Sequence, residues 1–321
     1  MRKKWTALLV LLIAVGAAGI AAAQEYPTRL ITLIVPFPAG GGVDAMGRLV
    51  ANRLTQALGQ QVIVDNKGGA AGVIGTRVAV HAAPNGYTLL MSTSGTTSIN
   101  PTLYADPGYD PLKDFVPIGL VASTPIVLMA HPSFPGTSIA DVIALAKKGG
   151  LAAGTPPPGT ENYMAAELFK AMTGVDMTIV SYKGTGPLTN DLLGGHIPLG
   201  FNTLPPALGN IQAGSLRAIA VAGATRSSLL PDVPTGIESG LPGFEAAVRY
   251  GLMAPAGTPR PIVDRINKEL RLMSTAEEMR KSIVAQGSDP LASTPEEYAA
   301  DIAREQAKWS ALIKKLGLRA E

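Results

Sequence analysis

The sequence predicts an α/β protein in which a mostly parallel sheet carries helices on both faces and the chain divides into two lobes. Short, continuous apolar runs rich in β-branched residues alternate with segments whose apolar residues recur at helical spacing. The chain has 321 residues, a length that suits two domains better than one. It contains no cysteine, so an apolar core rather than disulfides must stabilise it.

The N-terminus has the composition of a secretory signal peptide. Residues 2–4 are basic, residues 5–20 form an almost unbroken apolar run, and alanines at 21–23 give the small-residue pattern that a signal peptidase cleaves. The alternative is an uncleaved membrane anchor, because the run is nearly long enough to span a bilayer. We favour cleavage near Ala23, which predicts an exported protein.

The charge balance gives little support to a nucleic-acid-binding function. The full chain has 27 Lys and Arg against 24 Asp and Glu, and residues 1–23 contain three of the basic residues and no acidic one. Removal of the leader therefore leaves 24 residues of each sign and a formally neutral chain. No basic stripe with interleaved aromatic residues occurs, although nucleic-acid interfaces usually have one.

The first half begins with a buried strand and a glycine-rich turn. The run LITLIVPF at 30–37 is short, continuous and β-branched, as buried strands are. After the turn, apolar residues recur at helical spacing; we predict Asp44 as the N-cap of this helix and Gly59 as its end. The further predicted elements of this half are strands at 61–65 and 87–93 and a glycine-opened helix at 66–83.

The alternation of strands and helices continues through the second half. Capping boxes at Ser138 with Asp141 and at Thr294 with Glu297 predict the starts of two helices. Residues 229–246 are rich in Pro and Gly, and we place a return between the two lobes near them. The predicted strands are 125–130, 151–155, 177–184, 197–203, 216–223 and 248–255, and the predicted helices are 138–149, 159–174, 259–273 and 294–317.

A glycine triplet at 40–42 lies at the junction of the first strand and its helix. Turns of this kind let main-chain N–H groups close around an anion without a basic side chain. Ligands of open α/β sheets bind beyond the carboxyl ends of the strands, and similar loops follow strands in both halves. The sequence therefore predicts a receptor whose two lobes close on an anionic solute. The alternative is that the triplet is a plain strand–helix turn.

The strongest competing interpretation is a dinucleotide-binding enzyme. Residues 40–45 match the pattern G-x-G-x-x-A, and Asp65 ends the next strand, where a ribose-binding acid is expected. Two observations oppose it. Residues 36–39 separate the strand from the first glycine, where the motif needs a tight turn, and the leader exports the chain away from nicotinamide pools.

Other catalytic and metal chemistry has weaker support. His81, His131 and His196 are isolated from one another in the sequence, and there are no thiols to bind a metal. The nucleophile motif G-x-S-x-G does not occur. We therefore expect no metal, no cofactor and no catalytic residue.

At this level of detail the chain resembles a known family. The opening YPTRLITLIVPFPAGGGVDAMGRLV, followed in order by AAPNGYTLL, YDPLKDFVPIGLVAS, YKGTGPLTNDLLGGHI, LRAIAVAGATRSSLLPDVPT and GLMAPAGTP, is similar to the Bug family, the substrate-binding proteins of tripartite tricarboxylate transporters. The resemblance covers essentially the whole mature chain. It implies a periplasmic-binding-protein fold, type II-like, with two α/β lobes and a ligand cleft between them. We place lobe 1 at 24–124 plus 249–321 and lobe 2 at 125–248.

The resemblance also implies a function. Members of this family are periplasmic, monomeric receptors that deliver a small carboxylate to the membrane permease of the transporter, and they are not enzymes. A ligand sensor that acts on a signalling partner is the alternative. Carried over by position, the ligand contacts fall on Phe37, Ala39, Gly42 and Asp44 in the first loop, on Ser92, Thr93 and Ser94 in the second, and on Gly159, Thr160, Tyr163, Tyr182, Lys183, Gly184 and Asn202 in the second lobe. Asp44 would also fix the amides of its loop.

Three departures from the family pattern concern the ligand. Tyr163 stands where many members have His, Asn202 stands where many have Asp, and prolines occupy 156–158 in a loop usually richer in Gly, Ser and Asn. Asn202 removes a carboxylate that could hold a substrate ammonium, and Tyr163 offers a ring face and a hydroxyl. We therefore expect a dicarboxylate or an aromatic carboxylate rather than an amino acid. The alternative for Tyr163 is packing against the loop.

Overall fold

The computed structural model describes residues 26–320. The predicted signal peptide at 1–23 lies outside the described residues. Between residues 26 and 320, no helix is long and apolar enough to cross a membrane.

Within this part of the chain, ten strands are joined by backbone hydrogen bonds. Neighbouring strands follow the order β2-β1-β3-β9-β4-β7-β5-β6, and β8 and β10 both pair with β4. The strands are β1 (Ile31–Val35), β2 (Val62–Asn66), β3 (Thr88–Thr93), β4 (Phe115–Ala130), β5 (Ala152–Thr155), β6 (Thr178–Ser181), β7 (Leu199–Thr203), β8 (Arg217–Ala222), β9 (Ala247–Pro255) and β10 (Asp289–Pro290).

The two ends of this strand order are parallel, and the middle is antiparallel. β1 pairs in parallel with β2 and β3, and β5 pairs in parallel with β6 and β7. β4 and β9 run antiparallel to each other, and they pair antiparallel with β7 and β3. The parallel arrangement predicted from the sequence therefore holds within each lobe. β4 and β9 pair antiparallel because each of them carries the chain from one lobe into the other. Each therefore runs in the direction opposite to that of the strands beside it.

β4 is the longest strand and extends through both lobes. Its residues 115–125 pair with β9, whereas residues 126–130 pair with β7 and β8. The sequence predicted only 125–130 as a strand. A register shift lies between Pro117 and Gly119. Proline and glycine are both common at such bulges, but in a sequence they argue against a strand, so the first part of β4 was not predicted.

The helices cover the sheets on both faces. Gly59 ends the first of them in a left-handed conformation, and the two predicted capping boxes are present, at Ser138 with Asp141 and at Thr294 with Glu297. The helices are α1 (Gly42–Leu58), α2 (Val73–Val80), α3 (Asn100–Leu103), α4 (Ile139–Ala146), α5 (Glu161–Thr173), α6 (Thr185–Leu193), α7 (Leu208–Gln212), α8 (Arg260–Thr275), α9 (Glu277–Ala285) and α10 (Pro295–Leu316). A 3₁₀ turn at Ala70–Gly72 precedes α2, and a π turn at Gly95–Ile99 precedes α3.

Two predictions about helix starts are wrong. The N-cap of α1 is Gly41, and Asp44 lies inside the first turn instead of capping it. α6 begins at Thr185, directly after the predicted strand 177–184, where the sequence predicts one of the loops that follow strands and no helix. Pro187 is tolerated there because a proline in the first turn of a helix removes an N–H that has no intrahelical partner.

Helix α10 packs on the central strands through Tyr298, whose side chain is buried. The Tyr298 hydroxyl lies 2.8 Å from Ser92 Oγ on β3, and Ser92 Oγ donates to the carbonyl of Gly251 on β9 at 2.9 Å. A Cβ atom on Gly251 would overlap the Tyr298 ring. The close approach of α10 to β9 therefore requires glycine at this position.

This close approach predicts a large effect of Gly251→Ala. The added methyl must displace Tyr298 from its position against β9, and we expect a loss of about 1–3 kcal/mol in the free energy of unfolding. Urea denaturation monitored by circular dichroism measures it. The matched control is Gly209→Ala in α7, where a Cβ meets nothing within 4 Å and should stabilise the helix slightly. Equal stability of the two variants would contradict the packing argument.

Candidate functional site

A cavity of about 790 Å³ lies between the two lobes. It forms beyond the carboxyl ends of β1, β3 and β7, where ligands of α/β sheets bind. Its wall combines loops of both lobes with residues of the joining strand β9. The lining segments are 37–43, 68–72, 156–157, 160–162 and 183–187, together with Thr93, Thr203, Val248 and Tyr250.

Four helices begin at this wall. The N-terminal ends of α1, α2, α5 and α6 all contribute residues to the cavity lining. The first N–H groups of a helix have no intrahelical partner, and they carry the positive end of the helix dipole. The N-caps of three of these helices are the glycines Gly41, Gly72 and Gly184, which supply no side-chain cap. At α2 the preceding 3₁₀ turn already accepts these donors, because the N–H groups of Val73 and Ile74 donate to carbonyls of that turn. Uncapped first-turn amides are therefore available to an anion from both lobes, at α1 and at α6.

Asp44 braces the first of these helix starts from behind. Its Oδ2 accepts from the N–H of Gly40 at 2.9 Å and from Arg48 Nε at 3.0 Å, and its Oδ1 accepts from Asn66 Nδ2 at 3.0 Å. Burial alone raises the pKa of Asp44, but these hydrogen bonds outweigh it and leave the pKa below its usual range. Asn66 Nδ2 also donates to the carbonyl of Phe37 at 3.1 Å. The charged carboxylate thus holds the glycine loop in place without lining the cavity.

The loop at 68–72 has an unusual backbone. Gly69, Ala70, Ala71 and Gly72 all have positive φ, at 135°, 46°, 49° and 92°. A left-handed conformation costs an alanine about 1 kcal/mol, and such strain is concentrated at functional sites. The sequence predicted a glycine-opened helix here, and the two alanines concealed the turn. The strained turn places residues 68–72 in the cavity wall opposite α5 and α6.

Glu161 at the start of α5 connects the two lobes. Its Oε1 accepts from Ser94 Oγ at 2.8 Å and from the N–H of Gly95 at 2.5 Å, both at the end of β3 in the first lobe. The side chain is buried, and burial raises the pKa of Glu161 although these donors favour the charged form. Sequence reasoning missed this residue because a glutamate in a first helical turn is common and needs no ligand.

The structure brings about half of the predicted contact residues into the wall. The residues in the wall are Phe37, Ala39, Gly42, Thr93, Thr160, Lys183 and Gly184. Asp44, Ser92 and Ser94 lie behind it, since their side chains bind Gly40, Gly251 and Glu161 respectively.

Four further predicted residues of the second lobe also lie outside the wall. Gly159 approaches the first lobe closely, because a Cβ there would lie 2.5 Å from Asn100 Oδ1. Burial, followed by the nearby carboxylate of Glu167, raises the pKa of Tyr163 to about 12. The Tyr182 hydroxyl donates to Asp191 Oδ2 at 2.9 Å, and Asn202 Nδ2 donates to Thr189 Oγ1 at 2.9 Å.

Several wall residues carry no sequence signal of their own. Asn162, Thr203 and Tyr250 lie at a helix start or on strands, where a polar residue is unremarkable before the two lobes are brought together. Thr203 is the last residue of the predicted strand 197–203, but its position at a strand end alone does not mark it as a site residue. Within residues 26–320, no group of three or more His, Cys, Asp and Glu side chains is placed to hold a metal ion.

Comparison with known proteins identifies the family. Residues 46–318 match the sequence model described as "Tripartite tricarboxylate transporter family receptor". Protein BugT of Bordetella pertussis is 36% identical over 318 residues, which cover 97% of this chain and 98% of BugT.

Solved structures agree with this match. The structure titled "R. palustris Rpa4515 with adipate" is 35% identical, has a TM-score of 0.88, and covers 92% of this chain and 99% of its own. MatC (Rpa3494) from Rhodopseudomonas palustris with bound malate is 30% identical and has a TM-score of 0.84. The match covers 90% of this chain and 100% of the MatC chain. The two-lobed solute-binding fold and the resemblance predicted from the sequence are thereby confirmed. Since the family match spans most of its length, the chain belongs to the tripartite tricarboxylate transporter family receptors.

Proposed function

We propose that this receptor captures a small carboxylate in the cavity between its lobes and delivers it to the membrane permease of a tripartite transporter. The observation that carries the proposal is the convergence of helix N-termini from both lobes on one cavity, with glycine N-caps that leave the first amides of α1 and α6 uncapped. Such amide groups bind a carboxylate without a basic side chain. The similarity to Rpa4515 with adipate and to MatC with malate supports the same ligand chemistry.

Within this chemistry we favour a dicarboxylate or an aromatic carboxylate over an amino acid. Asn202 does not line the cavity, so its replacement of an aspartate does not act on the ligand directly. The acidic side chain in the wall is Glu161, and its carboxylate already accepts from Ser94 and Gly95. A ligand ammonium would have to compete with these donors, which disfavours an amino acid.

We also propose that the protein binds its ligand and does not catalyse a reaction on it. A dinucleotide-binding enzyme would need Asp65 near its ligand, but Asp65 does not line the cavity and pairs with Lys67 at 3.2 Å. A sensor for a signalling partner would use the same cavity. Interaction with a permease rather than with a kinase would distinguish these two uses.

The remaining proposals concern the state of the protein. The leader is removed near Ala23, and the mature chain acts in the periplasm as a monomer. Its lobes comprise 24–124 plus 249–321 and 125–248, in agreement with the change of pairing partners along β4 between residues 125 and 126. β4 and β9 join the lobes and are the natural hinge for closure on a ligand.

The carboxylate proposal predicts ligand-specific stabilisation. A ligand at a hundredfold excess over its Kd stabilises a protein by about 2.7 kcal/mol, which should raise the Tm by roughly 5 °C. We expect such a shift in a thermal-denaturation screen with adipate, malate or benzoate. Two matched controls sharpen the screen, since adipamide lacks the charges of adipate and aspartate replaces the hydroxyl of malate with an ammonium. A shift with NAD and with no carboxylate would contradict the proposal.

The brace at Asp44 predicts a second effect. Asp44→Asn weakens the charged hydrogen bond to Gly40 and places an amide against Asn66, so we expect a loss of about 1–2 kcal/mol in stability at pH 7 and weaker carboxylate binding. Because the pKa of Asp44 is lowered on folding, its stabilisation is present above its unfolded pKa of about 4 and is lost as the pH falls. The difference between wild type and variant should therefore shrink between about pH 5 and pH 3.

Urea denaturation at several pH values and isothermal titration calorimetry measure these effects. The control is Asp65→Asn, which removes an exposed carboxylate at the end of β2 and should leave affinity unchanged. A pH-independent difference between Asp44→Asn and wild type would refute the role of the charged brace.

A further inference from the structure

Thr203 is the last residue of β7 and lies in the wall of the cavity. The residue is 3% exposed, and its backbone N–H donates to the side chain of Asn202 at 2.9 Å. Its hydroxyl oxygen, in contrast, is buried without any hydrogen-bond partner. A buried hydroxyl without a partner loses its bonds to water and gains nothing in return, so such groups are rare and need an explanation.

Threonines at the ends of two other strands, β3 and β5, show that a partner is often available. Thr93 ends β3, and its Oγ1 accepts from the N–H of Thr96 at 3.4 Å. Thr155 ends β5, and its hydroxyl donates to the carbonyl of Pro156 at 2.8 Å. Thr203 occupies the equivalent position on β7 and has no such local bond. Of these three strand ends, the one at Thr203 therefore has a hydroxyl without a partner.

The strand geometry gives the direction of the hydroxyl. Successive side chains of a strand point to opposite faces of the sheet. The Asn202 side chain lies against α6, where its Nδ2 donates to Thr189 Oγ1 and to the carbonyl of Thr185. Thr203 consequently shares the face of Phe201, whose ring packs on Phe169 of α5 with 5.7 Å between the ring centroids. The Thr203 side chain is thus on the α5 side of β7.

We propose that the Thr203 hydroxyl donates a hydrogen bond to a carboxylate oxygen of the bound ligand. The inference rests on the proposed function, and it adds one side chain to a site otherwise built mainly from backbone amides. A carboxylate accepts about four hydrogen bonds, so it can take the hydroxyl together with N–H groups of a helix start. The ligand then supplies the partner that the hydroxyl lacks inside the protein.

The test compares Thr203→Val with wild type, using the protein isolated after export. Valine keeps the shape of threonine and removes only the hydroxyl. Because that hydroxyl has no partner, the ligand-free variant should be at least as stable as wild type in urea denaturation. Isothermal titration calorimetry with adipate, malate and benzoate as probes should show a Kd about tenfold weaker. Thr203→Ser restores the hydroxyl and should recover the affinity to within about threefold.

The control is Thr258→Val. Thr258 is also buried, but its hydroxyl donates to the carbonyl of Pro255 at 2.8 Å, away from the cavity. This variant should lose stability and keep the Kd of wild type, which is the opposite of the result expected for Thr203→Val.

Two results overturn the inference alone: an unchanged Kd for Thr203→Val, or a loss of ligand-free stability that shows an internal partner. If wild type binds none of the three probes, the proposed carboxylate function fails, and the Thr203 inference fails with it.

Discussion

The unpaired amide groups of first helical turns are the constraint around which the cavity is built. An α-helix leaves its first N–H groups without internal partners, and α1, α2, α5 and α6 all begin at one cavity. Side chains usually cap these groups, yet Gly41, Gly72 and Gly184 occupy three of the four N-caps. At α1 and α6 the missing caps leave first-turn amides to a ligand, and Lys183 adds one basic side chain to the same wall. The brace of Asp44 and the strained turn at 69–72 both serve to hold such amides in position.

The same helix starts determine how the two lobes meet. Glu161 belongs to the first turn of α5, but its carboxylate binds Ser94 and Gly95 at the end of β3. Gly159, just before α5, approaches Asn100 so closely that a side chain would not fit. Two of the contacts between the lobes are therefore made by residues next to the cavity. If β4 and β9 act as the proposed hinge, closure on a ligand brings these same residues together.

The sequence predicted most of the local structure because hydrophobic periodicity, helix caps and glycine turns are signals within short segments of the chain. It failed where residues that usually interrupt a helix or a strand are tolerated by their position. Examples are Pro187 in the first turn of α6 and the bulge between Pro117 and Gly119 in β4. For the site, the glycine loop at 40–42 was predictable because glycine has a conformational meaning in any context. Glu161 and Thr203 were not predictable, since their importance depends on burial and on partners from distant parts of the chain.

The two departures that suggested ligand specificity act from behind the wall. Asn202 is fully buried, and its amide donates to the carbonyl of Thr185 at the start of α6. An ionised aspartate at this position could only accept hydrogen bonds, so it could not bind that carbonyl. Asn202 therefore helps to hold the N-terminus of α6, and with it the amides at Gly184 and Thr185. In a site made of backbone groups, a side chain that never touches the ligand can still select it by moving the amides that do.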